Sequence, residues 1–314
     1  MATGINSQIG YAIEVTPGTF VTPARFLEFV PPLGLKVNPT QKKSMGVRAN
    51  RVLGHAVGVG PYTVEGPVTH ELVAESIGTL LKGMIEATPV TSGAGPYTHV
   101  FDFSTEIASL SGQVGLPSTT AVHPMSYSGL RVRRWTIDVS PGDVFARLGL
   151  EFIGYKADID GTPALTAATY ATFTRFVFTH ATFTLAGAEV CVDNIHLEGS
   201  TGWDGEHKIC AADAGAQSLF RADKAAVTGN VVTDLAGLTQ LNRLINGTQT
   251  ALVVAFNAGA SAQLTFSGNV YYTGEPPTVQ SVGKTKETVG FEFIHGTADA
   301  SALTVTLINS DSAA

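Results

Sequence analysis

The sequence predicts a mainly β protein built from two tandem β-sandwich or barrel domains, each with one flanking α-helix. Three observations carry this: short alternating apolar runs recur along the chain, only two segments have helical periodicity, and those two segments lie inside a repeat. The 314 residues, 44% apolar and only 14% charged, can bury a core but fit one large domain or two ordinary ones. The repeat decides for two.

Strands come first. Trp135 to Val139, Phe145 to Ile153, Leu252 to Phe256, Leu264 to Tyr272 and Leu303 to Ile308 alternate as half-buried antiparallel strands do. Turn residues separate them, among them Ser140-Pro141-Gly142-Asp143, Ser92-Gly93-Ala94-Gly95-Pro96, Asn257-Ala258-Gly259 and Gly274-Glu275-Pro276-Pro277. The helical segments are 69–83, with Leu72, Ser76, Leu80 and Met84 beside Val73, Ile77 and Leu81, and 233–247, with Leu235, Leu238, Leu241, Leu244 and Ile245. Gly83 is placed as the left-handed C-terminal residue of the first; the second is expected to open on a capping Thr233 or Asp234 and to close on Asn246-Gly247.

The two helices are equivalent. Gly66 and Gly229, Val68 and Val231, and Leu72 and Leu235 align at an offset of 163, and Leu80 with Leu244 and Gly83 with Gly247 at 164. Further on, Leu148 to Ile153 matches Val289 to Ile294 at an offset of 141, so the second copy is about 22 residues shorter between helix and last main strand. The expected domains are 1–160 and 161–314, with the boundary in the run from Tyr155 to Thr172, where Asp158 to Pro163 and small residues interrupt the alternation. A long irregular loop is expected at about 36–61, where Lys36, Lys42, Lys43, Arg48 and Arg51 carry 5 of the 19 positive charges.

Charge excludes one class of function. With Lys+Arg of 19 against Asp+Glu of 26 the net charge is −7, the wrong sign for wrapping nucleic acid. The acid concentrates in the second half, where 7 basic residues face 13 acidic ones, against 12 and 13 before residue 161. No run reaches the roughly 18 to 20 apolar residues of a membrane helix, and the N-terminus lacks the basic and apolar regions of a signal peptide, so folding in the cytoplasm with reduced cysteines is expected.

Catalytic patterns are missing. Gly58-Val59-Gly60 precedes Pro61 and lacks the rest of a phosphate cradle, no G-x-S-x-G elbow occurs, and the eight histidines form no H-E-x-x-H. Cys191, His196, His207 and Cys210 fall in one 20-residue window, but their spacings are not those of structural zinc sites, and a strand would point Cys191 and His196 to opposite faces. No metal or cofactor is expected. Asn246-Gly247-Thr248 matches a glycosylation sequon and reads instead as a helix cap. In Leu130-Arg131-Val132-Arg133-Arg134-Trp135, alternation puts Arg131 and Arg133 on one face and Arg134 on the other, either as a solvated strand edge or as a charged contact to a neighbouring subunit.

One segment carries a family resemblance. Gly10 to Phe29, with Glu14-Val15-Thr16-Pro17-Gly18-Thr19 leading to Thr22-Pro23-Ala24-Arg25-Phe26-Leu27-Glu28-Phe29, resembles the start of many major tail tube proteins of long-tailed bacteriophages. Gly95 to Phe101, His123 to Val132 and the strand from Leu303 to Ile308 are similar in kind and order, so the likeness runs almost end to end.

The resemblance implies a tube-type domain whose rings stack into a hollow conduit for DNA, with no enzymatic activity. Its partners would be further copies of itself, a tape-measure protein and tail-end proteins, with DNA passing through unbound. Many relatives carry one domain and form hexamers; two domains here imply three chains per ring with pseudo-sixfold symmetry, while a ring of six with the extra domain outside stays open. Subunit or ring contacts are expected at Lys42, Lys43, Arg48, Arg51, Arg131, Arg133 and Arg134, and a lumen lining at Glu151 and Glu292, which occupy equivalent places in the two copies. A capsid decoration or tail-terminator protein, and a host-surface carbohydrate-binding module, are the rival readings.

Overall fold

The computed structural model describes residues 3–46, 56–103, 109–159, 161–208, 215, 218–276, 284–296 and 301–314. The chain is mainly β. The first strands are β1 (Gln8–Ile13), β2 (Arg25–Phe26), β3 (Phe29–Val30), β4 (Lys36–Lys43) and β5 (Val57–Glu71), followed by helix α1 (Gly78–Ile85). Then come β6 (Val90–Ser92), β7 (Tyr97–Asp102), β8 (Leu110–Pro117), β9 (Val122–Val139), β10 (Arg147–Gly154) and β11 (Lys156–Asp158). The C-terminal half holds β12 (Ala181–Leu185), β13 (Ala188–Glu189), β14 (Asn194–Ser200), β15 (Trp203–Glu206), β16 (Ser218–Arg221) and β17 (Ala226–Asp234), then α2 (Thr239–Asn246). It ends with β18 (Thr250–Asn257), β19 (Gln263–Thr273), β20 (Lys286–Ile294) and β21 (Thr304–Asn309).

Antiparallel pairing runs β1–β8–β9–β10–β5–β4 in the N-terminal half. In the C-terminal half it runs β12–β18–β19–β20–β17–β14. Position by position the two orders agree, with α1 after β5 and α2 after β17. Residues 86–109 separate α1 from β8 whereas only 247–249 separate α2 from β18, and the longer connection is the β6–β7 hairpin.

The halves share one sheet. The first part of β9 pairs with β8; from Arg131 onward the strand pairs with β10 on one side, and from Arg134 onward with β14 of the other half on the second. A second seam joins β7 to β21. Gly129 turns β9 between these parts at φ 66°, and a Cβ there would sit 1.9 Å from the Tyr155 ring. No ladder of described strands closes on itself.

One continuous core lies beneath, from Ile9 to Leu307. Trp135 of β9 stacks on Phe266 of β19 with ring centroids 6.2 Å apart, so the core crosses the seam with the sheet. A Cβ on Gly199, opposite Trp135, would lie 2.1 Å from the indole, so only glycine fits beside it. The linker after β11 is strapped to the first half: Gln113 Nε2 donates to Ala164 O at 3.1 Å and Thr166 N–H to Gln113 Oε1 at 2.8 Å.

The helices are shorter than their periodicity suggests. Residues 69–71 finish β5, and the next turn is irregular, with Ser76 at φ 64° donating its N–H to Asp311. Gly83 is helical rather than terminal; Glu86 takes the left-handed position at φ 55°, and Gly83 is small because Leu110 packs 3.0 Å from where its Cβ would stand. In the C-terminal half, 233–234 belong to β17 and the helix starts at Thr239 without a side-chain cap. Its end is as expected: Gly247 is left-handed at φ 61°, and Thr248 N–H donates to Arg243 O at 3.0 Å. The two helices differ in setting, α1 being buried on nearly every side and α2 having no buried residue.

Candidate functional site

Alternation gives the shared sheet two unlike faces. Leu148, Leu150, Trp135, Ile137, Ile195, Leu197, Val231, Val289 and Phe291 turn to the core. Their neighbours Glu151, Arg134, Thr136, Asp138, His196, Glu198, Thr228, Asn230, Glu292 and Tyr271 form a polar face across β10, β9, β14, β17, β20 and β19.

Charges on this face are cross-linked between strands. Arg134 Nε donates to Glu198 Oε1 at 2.7 Å and His196 Nδ1 to Asp138 Oδ1 at 2.5 Å, both across the β9–β14 seam. Lys286 reaches Asp193 at 2.6 Å, and Tyr271 donates its hydroxyl to Glu292, a hydrogen bond that pushes the phenol pKa up. Glu151 stands opposite Arg134, and Glu292 opposite Tyr271 and Thr228, so the two carboxylates proposed from sequence do share one face, four strands apart. Beside Glu292 the face is hollowed by a concavity of about 580 Å³ lined by His196, Glu198, Thr228, Asn230 and Glu275 among others.

The arginine run departs from the expected alternation. A bulge at Arg133 leaves that residue without a partner in β10, so Arg131 and Arg134 fall on the same side of the sheet, opposite Ile153 and Glu151. Nor is β9 an edge there, since β10 and β14 flank it. Arg131 is buried under the β15–β16 hairpin, its guanidinium 4.8 Å from the Trp203 ring centroid, with no acceptor for Nε or Nη1 among the described residues. Arg221 lies 5.4 Å from the same ring, and both face Glu86, which accepts from Trp203 Nε1 and Arg221. Burial raises the Glu86 pKa against these donors and lowers that of Arg131.

The motif that carries the resemblance turns out to be a set of tethers. Glu14 is buried, and its carboxylate accepts from Gly18 N–H at 2.7 Å, Ser111 Oγ at 2.8 Å and Gly129 N–H at 2.7 Å, fixing the turn onto β8 and β9. Arg25 pairs with Asp311 at 3.3 Å, and Arg175 bridges Glu28 and Glu71. The Glu28 carbonyl accepts from His70 Nδ1 at 2.7 Å, so the neutral imidazole offers Nε2 to Tyr11 Oη at 3.0 Å. Burial lowers His70 to about 4 and raises Tyr11.

Residues 36–46 and 56–61 are a ribbon rather than an irregular loop: β4 pairs with β5 out to Lys43 opposite Val57, with a bulge in β5 at Gly60-Pro61, opposite Thr40. Lys42 and Lys43 are exposed on it; Arg48 and Arg51 lie outside the described residues. Cys191 is exposed ahead of β14, His196 is on the polar face, His207 contacts Gly215 O at 3.2 Å, and Cys210 lies outside the described residues. Among the described residues no group of His, Cys, Asp or Glu is placed to hold a metal, and no helix is long and apolar enough to cross a membrane.

A wide sheet with an ion-paired polar face, backed by one core and fixed by long-range tethers, is the build of a structural β subunit. A family model for the phage tail tube protein matches residues 4–307, and the chain belongs to that family. Membership implies self-assembly into a tube in the virion tail. No curated protein matches the chain.

Proposed function

We propose that this chain is a non-enzymatic tail tube subunit with two tandem tube domains, 1–160 and 161–314, and that three chains close a pseudo-sixfold ring. The observation that carries it is the identical pairing order β1–β8–β9–β10–β5–β4 and β12–β18–β19–β20–β17–β14, fused at the β9–β14 seam. A shared sheet and core argue against a loosely attached extra domain.

The polar face is the lumen wall in this reading. Glu151 and Glu292 present carboxylates where DNA phosphates pass, and Arg134 is neutralised by Glu198, so the wall offers passing DNA no free arginine at the seam. The β4–β5 ribbon, with Lys42 and Lys43 and the sequence beyond them to Arg51, makes contacts between rings, and the half-buried Arg133 faces a neighbour. Rings assemble in the host cytoplasm on a tape-measure protein, end on tail-terminal proteins and pass DNA at ejection.

Electron cryomicroscopy of tubes assembled from the purified chain tests this. Three chains per ring with the Glu151 and Glu292 face inward is the expected result. Six chains per ring, an outward polar face, or closed particles without a channel would reject it.

A further inference from the structure

Resting on the reading of the chain as a self-assembling tube subunit, we infer that β4 of one chain adds to the end of β19 of the next, repeating between chains the junction that β14 makes with β9 within one.

Two edges are left open. β9 beyond its pairing with β8 is completed by β14. The equivalent strand, β19, pairs with β18 only as far as Val270, and on that side no described strand pairs with Tyr271, Tyr272 or Thr273. β14 has its counterpart in β4, which pairs with β5 alone among the described strands. An eight-residue edge and a bare strand end are both pairing templates.

Register follows from the internal seam. Trp135 lies opposite Leu150 and Tyr272 opposite Phe291, and Leu150 and Phe291 are aligned at an offset of 141, so Tyr271 takes the place of Arg134. Arg134 pairs with Ser200, which pairs onward with Ala226 of β17. Continuing the β17–β20 register by two residues sets Ala226 opposite Ile294, the counterpart of Ile153, and so transfers it to Glu65, opposite Lys36; the Gly66–Gly229 alignment transfers it to Thr63, opposite Asn38. Both residues have the parity that puts them on the polar face with Tyr271.

The chemistry fits a second copy. At the internal seam β9 supplies the cation, Arg134, and β14 the acid, Glu198. At the open end the signs are exchanged: Glu292 sits beside Tyr271, and β4 brings the exposed Lys36. Past this point β14 leaves its partner through Gly202 at φ 73°, and the β4–β5 ladder shifts register at Thr40.

The test is disulfide trapping in assembled tubes of the full chain, in a Cys191→Ser, Cys210→Ser background. Tyr271→Cys combined with Lys36→Cys, or with Asn38→Cys, covers the two registers, and Tyr271→Cys with Lys43→Cys is the control. Oxidation should link chains in one of the first two at least tenfold more than in the control. Tubes in which neither pair links above the control overturn the strand pairing while leaving the tube reading intact; an unmodified chain that forms no tubes by imaging overturns the tube reading itself. Should the cysteine pairs disturb folding, p-benzoylphenylalanine at Tyr271, in mixed heavy and light chains, gives the same answer: adducts to residues 32–40 of another chain support the pairing, and adducts elsewhere overturn it.

Discussion

Arg134 and Glu198 form an ion pair across the strand junction that fuses the two halves of the chain, with side chains 53% and 26% exposed. Pairs this exposed contribute little, about 0.2 to 1 kcal/mol, because water already screens them. Arg134→Ala and Glu198→Ala should each lower stability by no more than about 1 kcal/mol, with a coupling of about 0.5 kcal/mol in a double-mutant cycle read by urea denaturation. A coupling of several kcal/mol would mean that the charges, and not the sheet and core, hold the halves together.

The seam depends far more on Gly199. Its absent Cβ leaves room for the Trp135 indole, which would otherwise be 2.1 Å away. Gly199→Ala should cost about 2 to 3 kcal/mol, the usual penalty of overpacking a rigid site. Trp135→Phe should recover part of that loss, while Gly237→Ala, where nothing lies within 4 Å of the added methyl, should change little. Equal effects at 199 and 237 in thermal melts would contradict the packing account.

His70 predicts a pH dependence. Burial lowers its pKa from 6.5 to about 4, so the folded state holds the imidazole neutral. Stability from this group is fully present above about 6.5 and is lost as pH falls toward 4, where the unfolded chain takes up a proton that the folded chain resists. The total is on the order of 3 kcal/mol. Denaturation midpoints between pH 7.5 and 4 should fall more steeply for the unmodified chain than for His70→Gln. Parallel slopes would remove His70 from the account.

Glu14 should tolerate little. Glu14→Ala orphans the Gly18 and Gly129 N–H groups and the Ser111 hydroxyl, with an expected loss of about 3 kcal/mol. Glu14→Gln keeps the shape and an acceptor oxygen, and should lose less. The measurement is chemical denaturation of both variants; a Gln variant as unstable as the Ala one would mean that charge, rather than acceptor geometry, is what the turn requires.

What could be read from the sequence and what could not divides along physical lines. Strands such as Leu252 to Phe256 were legible because a half-buried sheet imposes period two on its residues. Helix ends were not: Leu72, Val73 and Ile77 are apolar because the core buries them, and their spacing imitates a helical stripe that the backbone does not follow. Arg131 changed sides because a bulge adds one residue to β9, which leaves no mark in the alternation. The seam partners Thr136 and Glu198 are remote in sequence, and the signal that could have joined them is the glycine at 199 required by Trp135. Glu14 was visible only as a letter in a family pattern; two of its three donors come from strands remote from it in sequence.

The ribbon gives the last prediction. Lys42 and Lys43 on β4 face Gly58 and Val57 on β5, while Val57 and Val59 are 60% and 76% exposed. Core contacts are confined to its base, where Leu35 and Val64 are buried and Val37 and Tyr62 pack against the core, while Lys42, Lys43, Val57 and Val59 further out are exposed. Exposed valines and lysines on a projecting two-stranded arm are surface that a free protomer gains nothing by keeping. Deleting Lys42 to Arg51 should therefore leave a folded protomer, with a melting temperature within a few degrees of the parent, that no longer polymerises. Sedimentation and negative-stain imaging decide it: folded monomers or single rings are the expected outcome, and tubes of normal length from the deleted chain would show that ring contacts are made elsewhere.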